Sequence, residues 1–146
     1  MPTNSKKIAI ATCVKLPEPD VDEELLLAAL EKRGASVRML PWDDASAAAT
    51  AEEIVVIRST WNYFEDVDRF LAWIDRTSKI TTVWNPSSLI ASNAKKTYLR
   101  DLEAKGIHVV PTEYAMHTDK AGGRAGDVMR ERQWNAIVVK PVVSAG

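Results

Sequence analysis

The sequence predicts an α/β protein built on a parallel, doubly wound sheet. Short apolar runs at residues 8–12, 37–40, 54–57 and 81–84 have the length and composition of buried parallel strands. Between them lie segments whose apolar residues recur at helical spacing, and strands that alternate with helices are typical of this fold class. The length of 146 residues is close to that of a single domain.

The helices of the first half are predicted from their ends and their apolar faces. Asp20 and Glu23 have the spacing of a capping box, and Gly34 stands where a helix C-terminus favours glycine, so a helix is expected between them. A second helix is predicted at 65–76, where four apolar residues share one face. Residues 45–51 are interpreted as a weak helix or a loop.

The pattern changes near Asn85, after which we expect a second domain. The predicted elements are helices at 87–91 and 94–104, an edge strand at 109–114, a polar, turn-rich segment at 117–126, a helix at 127–132 and a strand at 136–139. No further strand follows the last one. Because a lone strand leaves an unpaired edge, the chain is expected to stop within this second domain.

Composition and charge exclude several classes of function. The net charge of −1 gives no global attraction to nucleic acid or to an anionic membrane. Cys13 is the only cysteine, so an intrachain disulfide is impossible and a cytoplasmic location is favoured. The apolar run at 8–11 is too short for a signal peptide. The oligomeric state stays open, a homo-oligomer included.

Common catalytic motifs are absent from the sequence. It contains no phosphate-binding P-loop, no G-x-G-x-x-G fingerprint and no pair of cysteines or histidines at metal-ligand spacing. His108 and His117 are interpreted as surface or packing residues. Cys13 follows the first strand at the ligand-binding end of the sheet, where it is either a nucleophile or, as we favour, a small buried side chain.

Three basic residues are candidates for binding anions. Arg58 follows the third strand at the ligand-binding end, where a guanidinium can hold a carboxylate or phosphate through two hydrogen bonds. Trp61 and Tyr63 would line a pocket beside it, or else cap the core while Arg58 forms a structural ion pair. Lys96 lies near the start of a helix, where it suits an anion, and Lys140 lies at the end of the last strand, where it can contact the phosphates or ring nitrogens of a nucleotide. The alternative for each lysine is a solvated charge.

Taken together, several segments resemble the glutathione-synthetase-like branch of the ATP-grasp superfamily, whose members include amino-acid ligases and the cyclase of cycloserine biosynthesis. The matching segments are residues 17–20, 58–63, 85–86, 93–99, 106–111, 138–141 and 144–146. The resemblance implies a Rossmann-like pre-ATP-grasp domain at residues 1–86. It also implies an incomplete α+β first lobe of the ATP-grasp domain at residues 87–146. Two residues depart from the family pattern, in which aspartate often stands at the positions of Asn62 and Lys95.

The resemblance also implies ligands and site residues. ATP would contact Lys96 and Lys140, and a flexible glycine-rich loop over its phosphates would begin at Ser144, Ala145 and Gly146. The acid substrate, an amino acid or a peptide-like acid, would face Arg58, Ser59, Thr60, Trp61 and Asn62. The residues that bind Mg²⁺ and carry out catalysis are expected beyond Gly146, so no metal ligand is assigned within the chain.

The function that follows from the resemblance is ATP-dependent ligation or cyclisation of a carboxylate through an acyl phosphate. We expect the complete protein of this kind to be an ADP-forming ligase. The 146 residues alone are expected to be inactive, since they would lack the second nucleotide lobe. The alternative is a non-catalytic α/β ligand-binding or regulatory module, or the product of a truncated gene.

Overall fold

The structure of the chain is a computed structural model that describes residues 5–116 and 121–144, with only the backbone of residues 121–123. These residues form two compact units. The first unit comprises residues 5–95 and 143–144, and the second comprises residues 96–142. The predicted assignment of residues 1–86 and 87–146 to two named domains stays a prediction.

A parallel sheet of four strands forms the first unit. The strands are β1 (Lys7–Thr12), β2 (Ser36–Pro41), β3 (Glu53–Ser59) and β4 (Thr82–Trp84), in the spatial order β2-β1-β3-β4. All three pairings are parallel. The four strands predicted in the first half of the chain and the α/β class are therefore confirmed.

The helices of the first unit differ at their ends from those expected. They are α1 (Glu23–Glu31), a 3₁₀ helix (Trp61–Glu65), α2 (Val67–Ile80) and α3 (Ser87–Asn93). The predicted helix at 65–76 in fact begins at Val67, where the Asp66 carboxylate accepts a hydrogen bond from the Arg69 N–H and caps it. The predicted cap of α1 at Asp20 was wrong, because α1 begins after Asp22 and lacks a side-chain cap. Gly34 has φ 82°, as its position after the helix requires.

The core of the first unit lies along the central strand and against α2. Residues 9–12 of β1 are all buried, as expected for a strand covered on both faces. The side chains of Phe70, Trp73 and Ile74 bring the apolar face of α2 into the same cluster. The edge of the Trp42 ring meets the Phe70 ring at 5.2 Å between centroids, which closes the cluster beyond the end of β2.

The second unit contains two helices, α4 (Tyr98–Ala104) and α5 (Ala121–Arg132), and several predictions fail there. The segments 109–114 and 136–139 are not strands. A strand needs a hydrogen-bonded neighbour, and Val138 is instead 80% exposed. The turn-rich segment predicted at 117–126 was wrong from Ala121 onward, since α5 begins there, and His117 lies outside the described residues.

The remaining helices also shift. The helix predicted at 94–104 begins only at Tyr98, and that predicted at 87–91 continues to Asn93. Local propensity defines helix ends poorly, so differences of this size are ordinary. Over residues 5–116 and 121–144, no helix combines the length and apolar character needed to cross a membrane.

Candidate functional site

The carboxyl ends of β1 and β3 form the centre of the candidate site. The chain places β2 on one side of β1 and β3 on the other, and such a reversal of strand order opens a crevice for ligands. The pairing of β1 with β3 is interrupted at this end: Ala11 lies opposite Ile57, whereas Thr12 lies opposite Ser59. Arg58 is thus an extra, bulged residue, and a bulge redirects side chains next to it.

An ion pair joins Arg58 to the loop that follows β1. The Arg58 Nη2 group donates to Asp20 Oδ1 at 3.2 Å, and the Ser59 hydroxyl donates to Asp20 Oδ2 at 2.7 Å. The hydrogen bond from Ser59 has the largest effect on the pKa of Asp20. Together with the Asp22 N–H and Arg58, it lowers the pKa of the Asp20 carboxyl, against an opposing effect of burial. Asp20 therefore remains an anion that holds Arg58.

This ion pair leaves donors of Arg58 for a ligand. Only Nη2 has a partner among the described residues, and the contact to Asp20 is a single, long one. A guanidinium can donate five hydrogen bonds, so Nε and Nη1 remain available to an anion that enters the crevice. The structure thus contains the ion pair considered as the alternative for Arg58, and it is compatible with the predicted contact to an acid.

Asn62, in the 3₁₀ helix that follows β3, binds the loop that follows β2. Its carbonyl oxygen accepts from the Trp42 indole N–H at 2.6 Å, and its amide donates to Asp43 Oδ2 at 2.8 Å. Because an indole N–H can only donate, this contact also determines which way the amide faces. The other carboxylate oxygen of Asp43 accepts from the Val14 N–H at 2.8 Å. Both ends of Asn62 are therefore engaged within the protein.

The five residues predicted to face the acid differ in their exposure. Arg58 and Trp61 are both exposed. Ser59 is only 1% exposed and its proton is directed to Asp20, while Thr60 is 7% exposed. Asp20, which sequence reasoning treated as a helix cap, joins the site instead. The spacing of 38 residues between Asp20 and Arg58 carries no local signal that could have revealed their contact.

A pocket of about 230 Å³ follows the carboxyl ends of β3 and β4, and we call it the α3 pocket. Its lining residues are Ile57, Thr60, Tyr63, Phe70, Asn85, Leu89, Ile90, Asn93 and Ala94. A larger depression of about 550 Å³ is lined mainly by the end of α2 and the start of β4. We favour the α3 pocket as a ligand site because it lies where open parallel sheets bind ligands.

The structure supports the interpretation of Cys13 as a small buried side chain and of His108 as a surface residue. Cys13 is buried, and its sulfur lies 3.3 Å from the carbonyl oxygen of Lys15 and 3.5 Å from that of Ser59. His108 is exposed on the second unit. Among residues 5–116 and 121–144, no three His, Cys, Asp or Glu side chains are grouped so as to hold a metal ion.

Within the second unit, the backbone of Lys96 is held by two other segments. Its N–H donates to the Val142 carbonyl at 2.8 Å, and its own carbonyl accepts from the Tyr114 hydroxyl at 3.2 Å. The Arg100 guanidinium stacks 4.0 Å from the centre of the Tyr114 ring and supports that tyrosine. Val142 lies two residues beyond Lys140, which is exposed. The segments that carry the two candidate lysines are thus joined by a backbone hydrogen bond.

The last described residue belongs to the first unit. The Ser144 carbonyl accepts a hydrogen bond from the Tyr63 hydroxyl at 2.9 Å. Ala145 and Gly146, which complete the predicted phosphate-covering loop, lie outside the described residues.

Comparison with known proteins assigns this sheet and its crevice to a family. A family model described as D-cycloserine synthetase DcsG, N-terminal domain, matches residues 8–85. This match covers more than half of the chain, and the chain belongs to that family.

Two known proteins of this kind are similar to the chain in sequence and in structure. The cycloserine biosynthesis protein DcsG of Streptomyces lavendulae is 32% identical over 133 residues, which are 90% of this chain and 44% of that protein. A crystal structure of D-cycloserine synthetase DcsG superposes with a TM-score of 0.79 at 31% identity, over 94% of this chain and 47% of that one. The chain therefore spans about half the length of these relatives. The likeness to cycloserine biosynthesis is confirmed, while membership of the ATP-grasp superfamily stays a prediction.

Proposed function

We propose that the chain is the N-terminal part of an ATP-dependent ligase or cyclase that activates a carboxylic acid. Its membership of the D-cycloserine synthetase N-terminal domain family supports a biosynthetic role. The observation that carries the nucleotide part of the proposal is the hydrogen bond of 2.8 Å between the Lys96 N–H and the Val142 carbonyl. It joins the two segments whose lysines would contact one ATP molecule.

The proposed reaction has two displacements. A carboxylate oxygen of the substrate attacks the γ-phosphorus of ATP, and ADP leaves with the electrons of the broken P–O bond. An amine or another nucleophile then attacks the acyl carbon, and inorganic phosphate leaves. The relatives' names suggest that cycloserine or a related cyclic product is formed by such a step.

The residues of the chain would contribute binding and positioning. Lys96 and Lys140 are the cations that would lie near the phosphates, where positive charge offsets the charge that moves during phosphoryl transfer. Arg58 would hold the acid through the N–H groups that Asp20 leaves free. Because no metal-binding cluster is found among residues 5–116 and 121–144, the proposal assigns no Mg²⁺ ligand to them. The first unit would correspond to the Rossmann-like domain, and a cytoplasmic location remains part of the proposal.

Replacing each lysine by methionine tests the nucleotide assignment. Methionine keeps much of the side-chain length but removes the charge, so Lys96→Met and Lys140→Met should each weaken ATP binding by about tenfold. The matched control is Lys105→Met, an exposed lysine of the same unit that lies at the end of α4. It should bind ATP like the unchanged chain.

Titration calorimetry with ATP, with and without Mg²⁺, gives the affinities, and thermal melts show whether each variant is folded. Stability should change by less than about 1 kcal/mol in Lys140→Met and Lys105→Met, as is usual for exposed side chains, whereas Lys96 is half-buried and its variant is compared only where the melt shows it folded. Two folded lysine variants that bind ATP as well as the Lys105→Met control would contradict the proposal. A chain that binds no ATP at all would contradict it as well.

A further inference from the structure

Two other segments of the second unit hold the backbone of Lys96 from either side of its Cα atom. Its N–H donates to the Val142 carbonyl at 2.8 Å, and its carbonyl accepts from the Tyr114 hydroxyl at 3.2 Å and from the Leu99 N–H at 3.3 Å. A residue has only two freely rotating backbone bonds, one on each side of Cα. Holding the groups beyond both bonds therefore fixes the direction in which the Lys96 side chain leaves the backbone.

The Tyr114 ring is fixed by its own contacts. The Arg100 guanidinium lies 4.0 Å from the centre of the ring, a distance typical of a cation–π interaction. Tyr114 is half-buried, and the neighbouring Glu113 forms an ion pair with Arg132 of α5. Among the described residues, the Arg100 side chain forms no hydrogen bond or ion pair that would draw it away from the ring. The Tyr114 hydroxyl thus reaches Lys96 from a ring that is held on one face and from a segment that is tied to a second helix.

We infer that Tyr114 is a positioning residue of the nucleotide site, whose hydroxyl directs the Lys96 side chain toward a phosphate group. This inference rests on the proposed contact between Lys96 and ATP. A lysine side chain loses much rotational freedom when its ammonium group is held by a phosphate, and every bond that is already fixed lowers the entropy lost on binding. Tyr114 would contribute in this way without touching the nucleotide. Its effect on ATP affinity should therefore depend on the Lys96 ammonium group.

Tyr114→Phe removes the hydroxyl and keeps the ring that stacks on Arg100, so it tests the role directly. Loss of one hydrogen bond is small against the stability of a domain, and the variant should fold. Titration calorimetry of the 146-residue chain should show a Kd for ATP about threefold higher for Tyr114→Phe and about tenfold higher for Lys96→Met. The double variant should match Lys96→Met, because the hydroxyl then has no ammonium group left to direct.

A Tyr114 hydroxyl that served only the fold would give a different result. Its loss would act independently of the Lys96 ammonium group, and the two effects would multiply to about thirtyfold in the double variant. That result, or an unchanged Kd in Tyr114→Phe, would overturn the inference. The matched control is Tyr98→Phe, because Tyr98 is also half-buried in this unit and its hydroxyl has no hydrogen-bond partner among residues 5–116 and 121–144. It should leave the Kd unchanged, and a rise equal to that of Tyr114→Phe would also overturn the inference.

NMR spectra of the ¹⁵N-labelled chain without ATP test the hydrogen bond by itself. The Lys96 carbonyl belongs to the same peptide group as the Thr97 nitrogen, so the amide signal of Thr97 should move in Tyr114→Phe. An unmoved signal would overturn the inference whatever the affinity for ATP. If Lys96→Met binds ATP like the Lys105→Met control, the nucleotide contact of Lys96 is wrong and the inference is overturned with it. Weaker binding by Lys96→Met together with unchanged binding by Tyr114→Phe would overturn the inference alone.

Discussion

The contact between Arg38 and Glu53 should be the largest single electrostatic contribution to the stability of the sheet. Arg38 donates from Nε at 2.9 Å and from Nη2 at 2.6 Å to the two carboxylate oxygens of Glu53, whose side chain is 4% exposed. The pair spans the central strand, because Arg38 lies opposite Ala9 and Glu53 opposite Lys7. Arg38→Met removes these two charge-assisted hydrogen bonds and a third, from Nη2 to the Ala48 carbonyl at 2.7 Å, and it leaves the Thr50 N–H as the remaining hydrogen-bond donor to the buried carboxylate. We expect a loss of about 3 kcal/mol and a decrease in Tm of about 10 °C.

The loss of stability in Arg38→Met should also depend on pH in a predictable direction. Burial raises the pKa of Glu53, but the hydrogen bonds and charge of Arg38, with the Thr50 N–H, lower it below 4.5 on balance. The pair therefore stabilises the protein above pH 4.5 and loses this contribution as the pH falls through the lowered pKa. Without Arg38, the hydrogen bond and the charge that oppose the effect of burial on the pKa of Glu53 are lost, and Glu53 takes up a proton more readily. The difference between variant and unchanged chain should therefore shrink as the pH falls.

Urea unfolding between pH 4 and 8 measures both effects, with Arg33→Met as control. Arg33 is an exposed arginine at the end of α1, and among the described residues its side chain donates only to the Ala29 carbonyl of its own helix. The double variant Arg38→Met with Glu53→Leu should recover part of the stability, since it leaves no buried charge behind. A loss below about 1 kcal/mol at pH 7, or an equal loss at pH 4 and pH 7, would refute this reasoning.

The remaining predictions concern the candidate site. In a longer, active protein that contains this chain, Arg58→Ala should raise the KM for the acid at least about tenfold and the KM for ATP much less, because a charged contact costs about 1.5–3 kcal/mol when lost. An unchanged KM for the acid in a folded variant would show that Arg58 does not bind the acid and serves only in the ion pair to Asp20. Asn62→Asp should replace the 2.8 Å hydrogen bond to Asp43 by a repulsion between two carboxylates. At an effective dielectric constant near 20 and a separation of 2.8 Å, this repulsion is about 6 kcal/mol, which protonation would relieve. The Tm of this variant should therefore be low at pH 7 and recover near pH 5, and a Tm equal to that of the unchanged chain at pH 7 would contradict the network.

Local pattern was sufficient to predict the strands and most helices of the first unit. Residues 8–12 and 54–57 are apolar over lengths that suit a buried strand, and α2 has an apolar face that recurs every three or four residues. Each of these patterns lies within one strand or helix, so it can be read from the sequence without knowledge of the tertiary contacts. The same reasoning failed for residues 136–139, because strand formation depends on a partner that no local signal can supply.

The candidate site was only partly predictable, for a related reason. Arg58 could be selected because it follows an apolar strand, and the carboxyl ends of parallel strands bind ligands. The burial of Ser59 and Thr60 depends on the bulge at Arg58, which is a property of the pairing between β1 and β3. The engagement of Asn62 by Trp42 and by Asp43 likewise joins loops that follow different strands.

By itself the sequence determined the α/β class, the four strands and the ligand-binding end of the sheet, because hydrophobic periodicity and the order of elements are local properties. Only the tertiary structure decided that Asp20 holds Arg58 and that Asn62 is engaged within the protein. These contacts join residues from different elements. Their distances depend on strand order and on one bulged residue, neither of which the spacing of residues along the chain encodes.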